Sequence, residues 1–185
     1  MNKEKIIKNF REIIEEIPGK EKMDKSIITD TPKRVADFYE EIFSGLKIDP
    51  REYLKNKIET QDKGLVVIKN VDLYSMCEHH FLPFFGKIAV GYIPNGNIVG
   101  FGDIIKVIET LAKRPQLQER LSEEIATVVY DELQCSGVCV HIEAEHLCMT
   151  MRGVKKSDSK VISLYSKGVL EDTNRRLEFL NLIRG

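Results

Sequence analysis

The feature that most constrains the fold is a change of hydrophobic period in the central part of the chain. Residues 104–134 repeat apolar side chains every three or four positions, and Pro115 is expected to divide them into two helices. Four flanking segments have the composition or alternation of strands: residues 64–76, 86–94, 137–144 and 160–166. The order strand, strand, helix, helix, strand, strand predicts an α+β domain with helices on one face of an antiparallel sheet.

The first part of the chain reads as a separate helical segment. Apolar residues recur at helical spacing over residues 3–17. Thr31 and Pro32 are typical of the N-cap and the first position of a second helix. We therefore predict an N-terminal helical extension, residues 1–63, followed by the α+β domain, residues 64–185.

The charge and hydropathy of the chain exclude several classes of function. Its 28 basic and 29 acidic residues give a net charge of −1, which argues against a nucleic-acid partner. The N-terminus is charged throughout, unlike a signal peptide, and no apolar run approaches the roughly 20 residues that span a bilayer. We therefore expect a cytoplasmic protein with no membrane partner, whose four cysteines are reduced.

Two clusters of cysteine and histidine predict a metal site. Cys77 and His80 are separated by two residues, a spacing that lets a tight turn direct both side chains at one ion. Cys148 lies in a second cluster, at the end of a predicted strand. Three such ligands and one open position are typical of catalytic zinc, so these three residues are the predicted Zn²⁺ ligands. His79 and His146, beside them, are able to move protons near neutral pH.

The alternative is that these residues are structural. A buried cysteine is usually a small hydrophobic residue, and for Cys77 and His80 alone the two interpretations are balanced. The second cluster favours zinc. Cys135 and Cys139 are interpreted as structural, and His141 as a surface or interface residue of its strand.

A further motif, RPQLQERLSEEI, contains Gln118 and Glu119. The two residues could be solvated positions at the start of an amphipathic helix. Alternatively, an amide and a carboxylate could pair with the amino and imino edge of guanine. The spacing alone favours the first interpretation.

Together these motifs resemble those of the GTP cyclohydrolase I family. The matching segments follow the family order and cover about residues 30–185: TPKRVADFYEEIFSGL, CEHHFLPFFGKIAVGYIP, RPQLQERL, EAEHLCMTMRGV and EFLNLIR. The resemblance implies the tunnelling fold, in which ββααββ units join side by side into a barrel. It also implies a homo-oligomer, typically a decamer of two pentameric rings with active sites between subunits.

The resemblance also implies a reaction and a role for each residue near the metal. Cys77, His80 and Cys148 match the zinc ligands of a hydrolase that attacks carbon 8 of the purine, opens the imidazole ring and releases formate. His79 resembles the family's proton donor at the ring nitrogen. His146 resembles the histidine that assists proton transfer during ring and ribose opening. The product in the family is dihydroneopterin triphosphate.

Four further residues match the family's substrate contacts. Gln118 and Glu119 fall where the family holds the guanine edge. Arg34 and Arg152 match basic residues on the phosphate side of the pocket. The resemblance thus implies a guanine nucleotide as the substrate.

The phosphate side also departs from the family pattern. Asp37 and Asp103 stand where the family usually has lysines, and Gly102 stands where it has serine. Three functions remain compatible with the sequence: a GTP cyclohydrolase I; a homologue performing the same zinc hydrolysis on a purine compound with fewer or no phosphates; and a non-catalytic purine-binding or regulatory homologue. Retention of both histidines beside the metal triad makes the last the weakest.

Overall fold

The structure is a computed structural model that describes residues 1–156 and 158–184. The chain divides into two compact units, Met1–Ser44 and Gly45–Gly185. Within the described residues, no helix combines the length and the apolar character needed to cross a membrane.

The first unit consists of three helices: α1 (Lys3–Glu15), α2 (Lys25–Thr29) and α3 (Thr31–Ile42). Helix α1 packs against α3, with Ile14 and Ala36 buried. Helix α3 starts at Thr31 with Pro32 in its first turn, and Asp30 occupies the cap position. The helix therefore begins one residue earlier than predicted, and Asp30 rather than Thr31 is its cap.

The second unit is built on a five-stranded sheet. The strands of this sheet are β2 (Val66–Cys77), β3 (Pro83–Ile93), β5 (Pro115–Gln116), β6 (Gly137–His146) and β7 (Val161–Gly168). A separate two-stranded sheet is formed by β1 (Ile58–Glu59) and β4 (Asn97–Ile98). The helices of the second unit are α4 (Phe101–Ala112), α5 (Gln118–Leu133), α6 (Leu147–Thr150) and α7 (Thr173–Arg184). The sheet order is β5-β2-β3-β6-β7, antiparallel except for β2 with β5. The predicted α+β class and ββααββ order are confirmed by β2, β3, α4, α5, β6 and β7.

Helices α4 and α5 bury one face of this sheet. Pro115 separates the two helices as predicted, and it also begins the short strand β5. The core between helices and sheet contains large, fully buried side chains, among them Phe84, Ile88, Ile104, Ile108, Leu121 and Ile125. The alternation of β3 divides its residues between this core and the opposite face.

The opposite face is partly covered by the chain's own last helix, α7. Phe179 is fully buried there and packs against β3, where a Cβ at Gly91 would lie 2.5 Å from its ring. Only glycine allows that approach. The carboxylate of Asp172 caps α7 by accepting hydrogen bonds from the backbone N–H groups of Asn174 and Arg175.

Residues 45–63, grouped above with the helical extension, cluster with the second unit. They contain a short 3₁₀ helix, Pro50–Leu54, that packs against α4. Leu54 is fully buried in the main core. This burial explains why the segment clusters with the sheet domain.

Candidate metal centre and its surroundings

Several elements of the second unit end at one edge of the sheet. Strands β2 and β6 both pair antiparallel to β3, so they run in the same direction and their carboxyl ends lie at the same edge. The register brings those ends level, since Met76 pairs with Pro83 and His146 pairs with the next residue, Phe84. Strand β5 runs parallel to β2 and leads directly into α5. Residues far apart in sequence therefore meet here.

The three predicted metal ligands are brought together at this edge. After β2 the chain makes a tight turn in which the Phe81 N–H donates to the Cys77 carbonyl at 2.9 Å, and Phe81 adopts a positive φ of 53°. This turn returns His80 towards Cys77. Cys148 lies on α6, the single helical turn that follows β6. The ligand atoms of Cys77, His80 and Cys148 all lie within 4.8 Å of one another.

The chemistry of this donor set fits a zinc ion. Ligands bound to one tetrahedral zinc at about 2.0–2.3 Å lie roughly 3.5–3.8 Å apart, so small side-chain rotations would close the site. Both cysteines are free thiols. Burial and the adjacent Cys77 raise the pKa of Cys148. A bound cation would reverse this effect, because a ligating thiol is deprotonated.

A polar network anchors the metal-binding turn to α5. The Arg120 guanidinium donates to the Glu78 carboxylate, to the Pro115 carbonyl and to the Gln116 side chain. The hydrogen bond from Arg120 lowers the pKa of Glu78. The Glu78 N–H also donates to the Gln116 carbonyl at 3.0 Å. Glu78 is therefore held through both its backbone and its side chain.

His146 lies next to the triad and is held on two sides. Its ring stacks on Phe84, with centroids 4.6 Å apart and an interplanar angle of 3°. Its Nε2 lies 2.7 Å from Oε1 of Gln118. Burial lowers the pKa of His146, and the nearby Glu119 carboxylate opposes that shift.

The other predicted site residues are more exposed. His79 is exposed on the metal-binding turn, its ring 6.3 Å from that of His80 and nearly perpendicular to it. Glu119 is exposed in the first turn of α5. Arg152 is also exposed, and its charge lowers the pKa of Cys148, against the larger effects named above. Arg34 belongs to the first unit, and its guanidinium Nη2 lies 3.8 Å from Oδ2 of Asp30.

The two aspartates that depart from the family pattern are each paired with a lysine. Asp37 accepts a hydrogen bond from Lys3 at 2.8 Å within the first unit. Asp103, in the first turn of α4, accepts one from Lys106 at 2.9 Å. Gly102, beside it, has open space where a side chain would be. Lys106 is thus already engaged by a carboxylate of its own helix.

Some residues that organise this edge were not singled out from the sequence. Gln116 and Arg120 belong to the RPQLQERL segment, but only Gln118 and Glu119 were considered there. Ser163, whose hydroxyl oxygen lies 3.1 Å from Gln118 Nε2, belongs to the segment predicted only as a strand. Gln116 directly follows Pro115, in the short connection between the two predicted helices. A polar residue at such a junction is expected to form hydrogen bonds with the neighbouring helix ends, and this is the sequence signal that indicates its role.

Comparison with known proteins gives a consistent set of relatives. The sequence profile described as GTP cyclohydrolase I matches residues 6–184. The GTP cyclohydrolase 1 of Fusobacterium nucleatum subsp. nucleatum is 51% identical over 185 residues, covering 100% of this chain and 98% of the relative. That of Clostridioides difficile is 47% identical, covering 99% and 97%. A solved structure, an archaeosine synthase QueF-Like protein in the apo form, is 19% identical with a TM-score of 0.43, covering 56% of this chain and 93% of that one.

Proposed function

Because this chain belongs to the GTP cyclohydrolase I family, we propose that it is a zinc-dependent hydrolase that opens the imidazole ring of GTP and releases formate. The expected product is 7,8-dihydroneopterin triphosphate. The observation that carries the proposal is the convergence of Cys77, His80 and Cys148 at the sheet edge where His146 is held. A non-catalytic homologue would have no need of a positioned histidine beside the metal ligands.

Cys77, His80 and Cys148 would hold the zinc ion. The ion would act as a Lewis acid that activates water for hydrolysis. His79 is the proposed proton donor to the purine nitrogen, and its exposure on the turn leaves it accessible to a ligand. His146 is the proposed second proton-transfer group. Its lowered pKa keeps it neutral, and therefore able to accept a proton, at neutral pH.

Recognition of the guanine edge is assigned to Glu119. Its carboxylate is exposed in the first turn of α5, and a carboxylate can accept hydrogen bonds from the N1–H and the amino group of guanine together. Arg152 and Arg34 are the proposed phosphate contacts. Arg152 follows Cys148 by four residues, so it stays close to the metal ligands.

We also propose that the protein is a homo-oligomer, as the family implies. Strand β7 is an edge strand of the five-stranded sheet, and it presents Ile162 and Leu164 to solvent. An edge strand with exposed apolar side chains is a template for pairing with another chain. A decamer is the specific expectation.

The test of the proposed activity is formate release. We expect zinc-loaded protein to release formate from GTP, and the assay should be repeated with GMP, guanosine and guanine. Turnover of GTP with little turnover of guanosine would place the triphosphate within the specificity of the enzyme. Formate from the smaller compounds alone would favour the homologue that uses fewer phosphates, and no formate from any of them would favour the non-catalytic one.

The carboxylates at positions 37 and 103 predict a specific change in phosphate preference. Asp37→Lys combined with Asp103→Lys should raise kcat/KM for GTP relative to GMP by about tenfold or more. Each charge-assisted hydrogen bond to phosphate is worth about 1.5–3 kcal/mol, and Lys106 would be released from Asp103. Steady-state kinetics on both nucleotides measure the ratio.

The matched control is Asp72→Lys combined with Asp131→Lys, two charge reversals at exposed, lysine-paired positions of β2 and α5. It should leave the GTP to GMP ratio unchanged. An equal rise in the control would assign the effect to net charge, and no rise in the double variant would mean that positions 37 and 103 do not face the phosphates.

A further inference from the structure

The orientation of the buried Gln118 amide can be deduced from its neighbours. The side chain is 1% exposed. Its Nε2 lies 3.2 Å from the carbonyl oxygen of Ile142 and 3.0 Å from that of Val161. Carbonyl oxygens only accept hydrogen bonds, so the amino group must face them. The reverse orientation would direct the amide oxygen at two other oxygens.

This orientation determines which nitrogen of His146 carries a proton. Gln118 Oε1, on the other side of the amide, lies 2.7 Å from His146 Nε2. An amide oxygen accepts only, so Nε2 must donate. In a neutral imidazole one nitrogen is the donor and the other carries the lone pair. His146 is therefore protonated on Nε2, and Nδ1 has the free lone pair.

The surrounding contacts make this arrangement rigid. Gln118 spans strands β6 and β7, and its amino group also lies 3.1 Å from Ser163 Oγ. The Ser163 hydroxyl is hydrogen-bonded to that of Ser122. The Ser122 hydroxyl in turn donates to the backbone carbonyl of Gln118 at 3.0 Å. No protein partner of His146 Nδ1 is found in the part of the chain that the structure describes, residues 1–156 and 158–184. Nδ1 is the ring nitrogen left for a ligand.

We propose that Gln118 is a positioning residue that holds His146 in the Nε2–H tautomer, so that the unprotonated Nδ1 is the ring nitrogen presented to a ligand. The inference rests on the proposed function and deepens it. The Gln118 side chain is buried, and the protein engages its amide at both polar ends.

Two substitutions at Gln118 separate positioning from substrate binding. Gln118→Met removes the acceptor for His146, and we expect kcat to fall by about tenfold to a hundredfold with KM nearly unchanged. In Gln118→Glu the buried carboxyl faces the Ile142 and Val161 carbonyls and is expected to be protonated, so that its other oxygen still accepts from Nε2–H and part of the lost kcat should be recovered. A rise in KM with unchanged kcat in the Met variant would overturn the proposal and assign Gln118 to the guanine edge.

The tautomer can be read directly in the unmodified protein. The chain has only four histidines, so solid-state ¹⁵N NMR of histidine-labelled, zinc-loaded protein gives few signals, and His146→Gln identifies the one of interest. In mildly alkaline solution we expect a protonated Nε2 and an unprotonated Nδ1. Gln118→Met should lose this preference, and Ser163→Ala should keep it, because the Gln118–His146 bond remains.

The two proposals can fail separately. A wild-type His146 protonated on Nδ1 would overturn the assignment of the tautomer, whatever the activity. A protein with the expected tautomer that releases no formate from any guanine compound would overturn the proposed function and leave the tautomer assignment standing.

Discussion

Replacing Cys148 by alanine is expected to abolish both zinc binding and formate release. The wild-type protein should contain about one zinc ion per chain, held by Cys77, His80 and Cys148. Without the Cys148 thiolate only two of the three protein ligands remain. Activity should fall by about 10³-fold or more, since a bound metal contributes several kcal/mol of transition-state stabilisation. Metal analysis of the purified variant and the formate assay measure the two effects.

Cys139→Ala is the matched control for this variant. Cys139 is also a free cysteine, but it is fully buried within β6 and its sulfur contacts Ser166. Its removal should reduce stability modestly and leave the zinc content unchanged. Full zinc occupancy in a protein with both Cys77→Ala and Cys148→Ala would refute the ligand assignment.

The sequence was sufficient for the ligand types but not for their convergence. The C-x-x-H spacing predicts only that a turn can join Cys77 to His80. The approach of Cys148 depends on β3 lying between β2 and β6, which makes the carboxyl ends of those two strands neighbours. Strand order is a long-range property that hydrophobic periodicity does not report. The family resemblance supplied it indirectly.

The burial of Gln118, by contrast, could have been predicted from the helix period. Gln118 precedes Leu121 by three residues and Ile125 by seven, so it lies on the apolar stripe of α5. Glu119 is one residue off that stripe and is exposed. The two residues were treated as a pair because the family motif presents them together, and the periodicity separates them.

The pairing of Asp37 with Lys3 could not have been found from local pattern. The two residues are 34 positions apart and meet because α1 packs on α3. An aspartate aligned with a family lysine appears as an unmatched negative charge in the sequence. In the folded unit it forms an ion pair with Lys3, which also pairs with Glu40.

His79 and His80 are adjacent in sequence, yet their substitutions should have different consequences. His80→Ala removes a predicted ligand and should lose zinc and activity together. His79→Ala should keep about one zinc per chain, because among the described residues His80 is the one histidine with a ring nitrogen within 4.8 Å of both ligand sulfurs. Its kcat should fall by about 10²–10⁴-fold, the usual contribution of a positioned general acid. Metal content and kcat, measured on both variants, give the comparison.

The control is His141→Ala, a change of the same kind within β6, away from the metal-binding turn. It should alter neither zinc content nor kcat by more than a small factor. If His79→Ala lost zinc as fully as His80→Ala, His79 would have to be a ligand or a support of the turn. If it kept both zinc and full activity, the proton would have to come from another group, and His146 would be the nearest candidate. Only retained zinc with a large loss of kcat supports the division of roles between the two histidines.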